Sequence, residues 1–324
     1  MCAPQSVEDA FGFTALGARF EPVPIGKGWR FFDPRTGRSL RAALVDTDLV
    51  HAHGLRPGIA AASARRPDQR LVVTWHNAVL GSPPRRRLLV RRERVVAKRA
   101  DLLLGASQDL VDRARELGAR DARLTMLPAP QLAPTSHSRD EVRSQLGIGT
   151  EPVVLTVARL VPQKRLDVLV DAAASLARAD VDVVFLVVGG GRLHGELSER
   201  IDRSNAPVRL LGERDDVADL LEAADVFALS SEWEARSFAV QEAMVSGCPV
   251  VVPAVGGLTE LVAEAGILVR PNDPRSLAAG IRQLVEDPAR RAGLSTAARE
   301  RAAMWPDEGS VINQTVERYL ALTE

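Results

Sequence analysis

From about residue 150 to 290 the chain alternates short, continuously apolar runs with longer stretches whose apolar residues recur every three or four positions. The runs are VVLTV (153–157), VDVVFLVV (181–188), VRLL (208–211), DVFAL (225–229), PVVVP (249–253) and GILV (266–269). Helical patterns fill the gaps around 165–178, 192–203, 216–223, 237–246, 257–264 and 274–286. Strands that are apolar at every position are covered on both faces, which predicts a parallel sheet wound with helices on either side. The first half carries the same theme more faintly. LVHAH (49–53), RLVVTWH (70–76) and DLLLGAS (101–107) read as strands, and 88–99 and 109–117 as helices.

The stretch 128–140, PAPQLAPTSHSRD, is rich in Pro and Ser and reads as a linker. The expected organisation is therefore two Rossmann-like parallel α/β domains facing across a cleft. An N-terminal unit spans 1–140, with the helical tail 305–324 packing back on it, and a C-terminal unit spans 141–304. Ligands of such sheets sit beyond the carboxyl ends of the strands.

A chain of 324 residues suits two such units. Only Cys2 and Cys248 are present, so no disulfide framework supports the fold and a reduced, cytoplasmic setting is expected. No apolar run approaches the ~20 residues of a membrane span. Residues 1–25 lack the basic-then-apolar pattern of a secretory signal. Net charge is zero, yet residues 1–150 hold 24 Lys and Arg against 15 Asp and Glu, and the remainder 18 against 27. The basic excess gathers in 82–100, where Arg85, Arg86, Arg87, Arg91, Arg92, Arg94, Lys98 and Arg99 meet a single Glu93. A solvated helix face is the plain reading. Contact with an anionic membrane is the sharper one, and nucleic acid fits poorly because no aromatic residues interleave the charge.

Candidate chemistry concentrates in SSEWEARSFAVQEAMVSGCPVVVPAVGG. Glu234 precedes a predicted helix and Glu242 lies inside it, and a carboxylate can accept from two vicinal hydroxyls. The free N–H groups around Ser237, Phe238 and Ala239, aided by the helix dipole, suit a phosphate. Two solvated glutamates explain the spacing equally well when it is taken alone. Arg159 and Lys164 follow one strand and precede a helix, where cations can hold a departing diphosphate, although a solvated loop pair is again the alternative. Gly189 and Gly190, in VVGGG, allow a close backbone approach or a simple turn.

Taken in order, RLVPQK, LLGERDDVADLLEAADVFALSSEWEARSFAVQEAMVSGCPVVVPAVGGLTELV and GILVRPND resemble the donor half of the family 4 (GT4) retaining glycosyltransferases, a GT-B family. The resemblance covers nearly all of 151–305 and continues through DLVHAHG, VVTWHN and ADLLLGASQDL. It implies a metal-independent hexosyl transfer from GDP-mannose or a UDP-sugar, with no cofactor beyond that substrate, to an unidentified lipid or glycan acceptor. Glu234 would bind the sugar hydroxyls, Glu242 the ribose, and Arg159 and Lys164 the diphosphate. His76 would contact the sugar or the reaction centre, and segment 212–216, including Arg214, would touch the base. Family members usually have Gly where this chain has Ala235 and Arg165, replacements expected to be tolerated at negative φ. They also usually open with a strand and a Gly-rich loop. Here MCAP reads like the end of a strand, so that opening is expected to be missing.

Other signals carry less. His51, His53 and His76 could form a metal cluster but read better as strand-end residues, and His137 and His194 suggest nothing. Asp46–Asp48 and Asp180–Asp182 match a D-x-D pattern that turn chemistry also explains. Asp215 and Asp216 could bind a guanine or cap the next helix, the cap being preferred. The competing functions are a silent or truncated GT-B scaffold and a dinucleotide-dependent oxidoreductase. For the latter, GGGRLHG does not supply G-x-G-x-x-G. A cytoplasmic enzyme, peripheral to the inner membrane face or free of it, is the expected setting.

Overall fold

A computed structural model describes residues 1–23, 34–81 and 83–324. The chain divides into two compact units, Met1–Met126 with Gly309–Glu324, and Leu127–Glu308.

In the first unit, β1 (Cys2–Ala3) pairs in parallel with β2 (Glu21–Pro22). A second parallel sheet follows chain order, through β3 (Leu49–His53), β4 (Arg70–Trp75), β5 (Leu102–Gly105) and β6 (Ala122–Leu124). Within MCAP, Cys2 and Ala3 are the residues in that strand, with Glu21 and Pro22 as their partners. Helices Leu55–Ala64 and Pro83–Arg99 pack together over β4. A side chain at Gly58 would meet Val73 at 3.0 Å and Val96 at 3.2 Å, so glycine sets how closely they approach. The final helix, Glu308–Thr323, brings Tyr319 and Leu322 against Val72, Leu102 and Leu104.

The second unit holds one six-stranded parallel sheet. Its strands are β7 (Val153–Val157), β8 (Val184–Val188), β9 (Val208–Gly212), β10 (Val226–Ala228), β11 (Val250–Pro253) and β12 (Ile267–Val269), in the spatial order β12-β11-β10-β7-β8-β9. The strand residues divide by parity. Val153, Leu155, Leu186, Val188, Phe227, Val250 and Val252 enter one buried cluster, and Val154, Phe185, Val187, Val226, Ala228 and Val251 the other. Alternate side chains point to opposite faces, so two separate clusters on one set of strands mean helices on both sides. This is the doubly wound architecture that the uninterrupted apolar runs predict. The chain steps outward from β7 to β8 and β9, then returns to place β10 beside β7. That reversal opens a crevice at the carboxyl ends of β7 and β10, where such sheets bind ligands.

The unit boundary falls at Met126/Leu127, ahead of the 140/141 expected from composition, because the linker is tied to the second unit. Asp219 accepts hydrogen bonds from the backbone N–H groups of Ser136 (2.7 Å) and His137 (3.3 Å), and pairs with His137 Nδ1 at 3.0 Å. Arg139 donates to the carbonyls of Glu222 and Ala224, each at 3.1 Å. The linker ends in a helix, Arg139–Gln145, opened by a capping box between Ser138 and Glu141.

Candidate active site

Two loops build the floor of the crevice. The first runs from β7 through Ala158 and Arg159 into a 3-10 turn, Pro162–Lys164. The second follows β10 and carries Ser230 to Ser237. Polar contacts join them. Ser230 Oγ donates to the Lys164 carbonyl at 2.9 Å, Gln163 Nε2 donates to the Trp233 carbonyl at 2.9 Å, and Glu232 N donates to the Gln163 carbonyl at 2.8 Å. Where the loops meet, Lys164 Nζ forms an ion pair with Glu234 Oε1, and Ser231 Oγ donates to the same oxygen at 2.7 Å. Both side chains are largely buried, at 15% and 10% exposure.

Above the pair opens a pocket of about 410 Å³ lined by Arg159, Lys164, Gly189, Gly190, Glu213, Arg214, Glu234, Arg236, Ser237, Phe238 and Ala239, with neighbouring strand-end residues. Four cations face two carboxylates there, an excess suited to an anionic ligand. Helix Phe238–Ser246 begins at the pocket wall, its N-cap Ser237 accepting from Val240 N. The first N–H groups of a helix have no partner within it, so those of Phe238 and Ala239 add a positive dipole end to the same wall.

Glycine shapes two walls. Gly189 adopts φ 132°, and a Cβ there would lie 2.1 Å from the Ala158 carbonyl oxygen, so this loop packs backbone to backbone against the Arg159 loop. Gly256, at φ 48°, would place a Cβ 2.1 Å from the Glu234 carbonyl oxygen, which also accepts from Gly257 N at 2.9 Å. The β11 loop therefore fixes the height of Glu234.

Glu242 and His76 are not among the residues lining this pocket. Glu242 sits one helical turn beyond Phe238, on the same side of the helix. It is half-buried, and burial raises its carboxyl above the usual range. His76 belongs to the first unit, just past the end of β4, where its Nε2 lies 3.2 Å from His53 Nδ1. Among the described residues, no group of three or more His, Cys, Asp or Glu side chains is arranged to hold a metal ion.

Two local expectations need correction. Arg165 adopts φ 46°, ψ 44°, in the left-handed region, so the negative φ on which its tolerance as a glycine replacement is conditioned is not met. Its side chain supports that strain. It donates to both Asp167 carboxylate oxygens, at 3.0 and 2.9 Å, and to Asn272 Oδ1. Asp216 stands at the N-cap of helix Val217–Ala223 but makes no side-chain cap bond. Instead its carboxylate accepts from Arg214 Nε at 2.7 Å and from Nη2, because the guanidinium two residues away is the stronger donor. That pairing lowers the Asp216 pKa and raises that of Arg214.

Sequence reasoning passed over Ser231, Gly256 and Arg236. The Ser231 hydroxyl, three residues ahead of Glu234, was the one readable hint. The Arg236 guanidinium lies 5.4 Å from the Trp305 ring centroid. Its Nε and Nη2 are buried without hydrogen-bond partners among the described residues, and burial lowers its pKa. In the arginine-rich helix, Arg86, Arg87, Arg91, Arg94, Lys98 and Arg99 are exposed, while buried Glu93 accepts from Arg113 at 3.1 Å. Ser82 and the side chain of Arg85, part of that stretch, lie outside the described residues, as do Pro24 and Ile25. No helix among the described residues is long and apolar enough to cross a membrane.

A family model for "Glycosyl transferases group 1" matches residues 138–301, and one for a "Glycosyl transferase 4-like domain" matches 1–130. The chain is 33% identical over 285 residues to a D-inositol 3-phosphate glycosyltransferase of Nocardiopsis dassonvillei, covering 79% of this chain and 66% of that one. A counterpart from Catenulispora acidiphila is 33% identical over 309 residues, covering 86% and 72%. The chain thus spans about two thirds of the length of these relatives. Among solved structures, Anabaena Alr3699/HepE in complex with UDP-glucose superposes with a TM-score of 0.78 at 25% identity, covering 96% of this chain and 89% of that one.

Proposed function

We infer the activity from the premise that this chain belongs to the group 1 glycosyl transferases and has the GT-B fold: it transfers a hexosyl group from a nucleoside-diphosphate sugar to an acceptor, with retention of configuration and without a metal ion. The observation that carries the reading is the Lys164–Glu234 pair, set beside Arg159 and a helix start in a net-cationic pocket at the strand-order reversal. The UDP-glucose held by the Anabaena protein and the GDP-mannose dependence named for a Corynebacterium glutamicum mannosyltransferase, 32% identical over 176 residues, make UDP- and GDP-sugars the leading donors.

In this reading Arg159, Lys164 and the N–H groups of Phe238 and Ala239 take the diphosphate, while Oε2 of Glu234 takes sugar hydroxyls. Gly189 and Gly190 keep that wall clear of side chains, Glu242 holds the ribose, and Arg214 borders the base. His76 is assigned to the transferred sugar. The acceptor oxygen attacks the anomeric carbon on the face the diphosphate leaves, through an oxocarbenium-like transition state. The glycosidic bond forms as the bond to phosphate breaks, and the acceptor proton passes to a departing phosphate oxygen. Charge then grows where Arg159, Lys164 and the helix start can meet it. The exposed cationic face of helix Pro83–Arg99 suits an anionic membrane surface, which would present a lipid acceptor from the cytoplasmic side.

The test is thermal unfolding with a panel of UDP-, GDP- and ADP-sugars. A true donor at 100-fold over its Kd adds about 2.7 kcal/mol of stability. A panel that moves no melting point removes the support for a donor site.

A further inference from the structure

The first unit gathers three histidines at the carboxyl ends of two adjacent strands. His51 and His53 lie on β3, and His76 follows β4. His51 is held on both ring nitrogens, Nε2 to Thr74 Oγ1 at 2.7 Å and Nδ1 to the Tyr319 hydroxyl at 2.5 Å. The His53 ring lies against it, with centroids 4.3 Å apart. On its other side, His53 presents Nδ1 to His76 Nε2 at 3.2 Å, with the two ring planes within 19° of parallel.

A nitrogen-to-nitrogen contact at that distance has only one chemical solution. A neutral imidazole carries one N–H and one bare nitrogen. One ring must donate and the other accept, and a proton on both facing nitrogens would set two donors against each other. Burial is the main cause that lowers the pKa of all three rings, reinforced for His76 by His53, so the neutral forms prevail. Once His53 has chosen its tautomer, the hydrogen-bonding character of His76 Nδ1 is fixed as well.

We propose that His53 is a positioning residue, which sets the ring orientation and the tautomer of His76 and so decides whether His76 Nδ1 offers the substrate a donor or an acceptor. The functional weight of this inference rests on the assignment of His76 to the transferred sugar. The hydrogen-bond relation between the two rings does not. His51, fastened by Thr74 and Tyr319, backs the His53 ring from the other side and limits its rotation.

Asparagine places an amide atom close to the position of an imidazole Nδ1 and can keep the bond to His76, whereas alanine cannot. His53→Ala is expected to lower kcat by roughly 10- to 100-fold, the loss typical of a misplaced reacting group, with KM for the donor little changed. His53→Asn should recover most of that loss. In both variants the acid limb of the kcat–pH profile should move to higher pH, because His76 no longer faces a second imidazole. Ring-nitrogen NMR shifts, which need no turnover, should show one His76 tautomer in the parent protein and a mixture in His53→Ala. His76→Ala, measured alongside, separates the two claims. If it abolishes transfer while His53→Ala does not impair it, or while Asn does no better than Ala, the positioning role is overturned. If His76→Ala transfers at the parent rate, the assignment of His76 falls, and the NMR comparison alone decides the link between the rings. An unchanged His76 tautomer in His53→Ala overturns that link.

Discussion

Replacing Glu234 with glutamine separates the two things this carboxylate is placed to do. Its Oε1 takes both Lys164 Nζ and Ser231 Oγ, and Oε2 is the oxygen assigned to the ligand. Glutamine keeps the shape and one acceptor oxygen but removes the charge. Stripping the partner from a fully buried ion pair costs about 3–5 kcal/mol. Lys164 retains 15% exposure and an amide oxygen to bond, so a loss of about 1–3 kcal/mol is expected from urea unfolding of the free protein. A bound nucleoside diphosphate supplies Lys164 with a new anion, so the deficit should shrink as diphosphate is added. Diphosphate affinity, by calorimetry, should hold or tighten. Turnover should fall by roughly 100-fold or more, the scale seen when one contact to developing charge is lost. Diphosphate affinity that collapses in step with turnover would refute the division of labour between Glu234 and Lys164.

Arg159→Ala and Lys164→Ala should each weaken nucleoside diphosphate by about 1.5–3 kcal/mol, the worth of a hydrogen bond to a charged group, and barely affect the monophosphate. Equal losses for both ligands in calorimetry would move these cations off the terminal phosphate. Gly256→Ala forces an L side chain to φ 48°, with its Cβ against the Glu234 carbonyl, and should lower unfolding free energy by at least about 2 kcal/mol. An unchanged melting temperature would show that the β11 loop does not set the height of Glu234. The linker tether is predicted to depend on pH. Pairing raises the His137 pKa, so its contribution is complete below about pH 6.5 and fades as pH climbs through the raised value. Pairing lowers the Asp219 pKa, so its contribution holds above about pH 4 and fades as pH drops through the lowered value. Proteolysis within 128–135 should therefore be slowest between about pH 4 and 6.5, with Asp219→Asn flattening the profile. A parent profile that is already flat across pH 5–8 contradicts this.

The second unit was readable because its strands are buried on both faces, so burial wrote an uninterrupted apolar signature into each one. The elements missed include two helices of ten residues, Pro34–Ala43 and Leu55–Ala64, and several shorter pieces. Helix Gln5–Phe11 and strand Ala122–Leu124 are too brief to show a period. Helix Arg139–Gln145 is just as short, and only its capping box, Ser138-x-x-Glu141, could have revealed it inside the supposed linker. The strand read from residue 181 begins at Val184: helix Leu166–Arg178 closes in a turn at 179–180, with Asp180 at φ 53° and Val181 N donating to the Leu176 carbonyl, and the ladder starts only after it. In the site, Arg159, Lys164, Gly189, Gly190, Glu234 and Ser237–Ala239 stood out by their place at strand ends and a helix start, and Arg214 only through the family resemblance. Gly256 and Arg236 did not, since each matters through an element distant in sequence, Gly256 through the Glu234 loop and Arg236 through Trp305. Arg165 and Asp216 were misjudged for a shared reason. Backbone rules assume an idle side chain, and both side chains are engaged.

The course of the chain makes the second unit an insertion in the first, which it leaves after Met126 and rejoins at Gly309. A single nick in the linker would therefore not release two halves. The downstream fragment would still end in helix Glu308–Thr323, which grips the upstream fragment through Arg318 on the Leu124 carbonyl and Tyr319 on His51. Nicked protein should run as two bands under denaturing conditions and elute as one species under native ones. The same layout marks 127–308 as the natural cassette for exchange between homologues, with both splice points fixed by the fold.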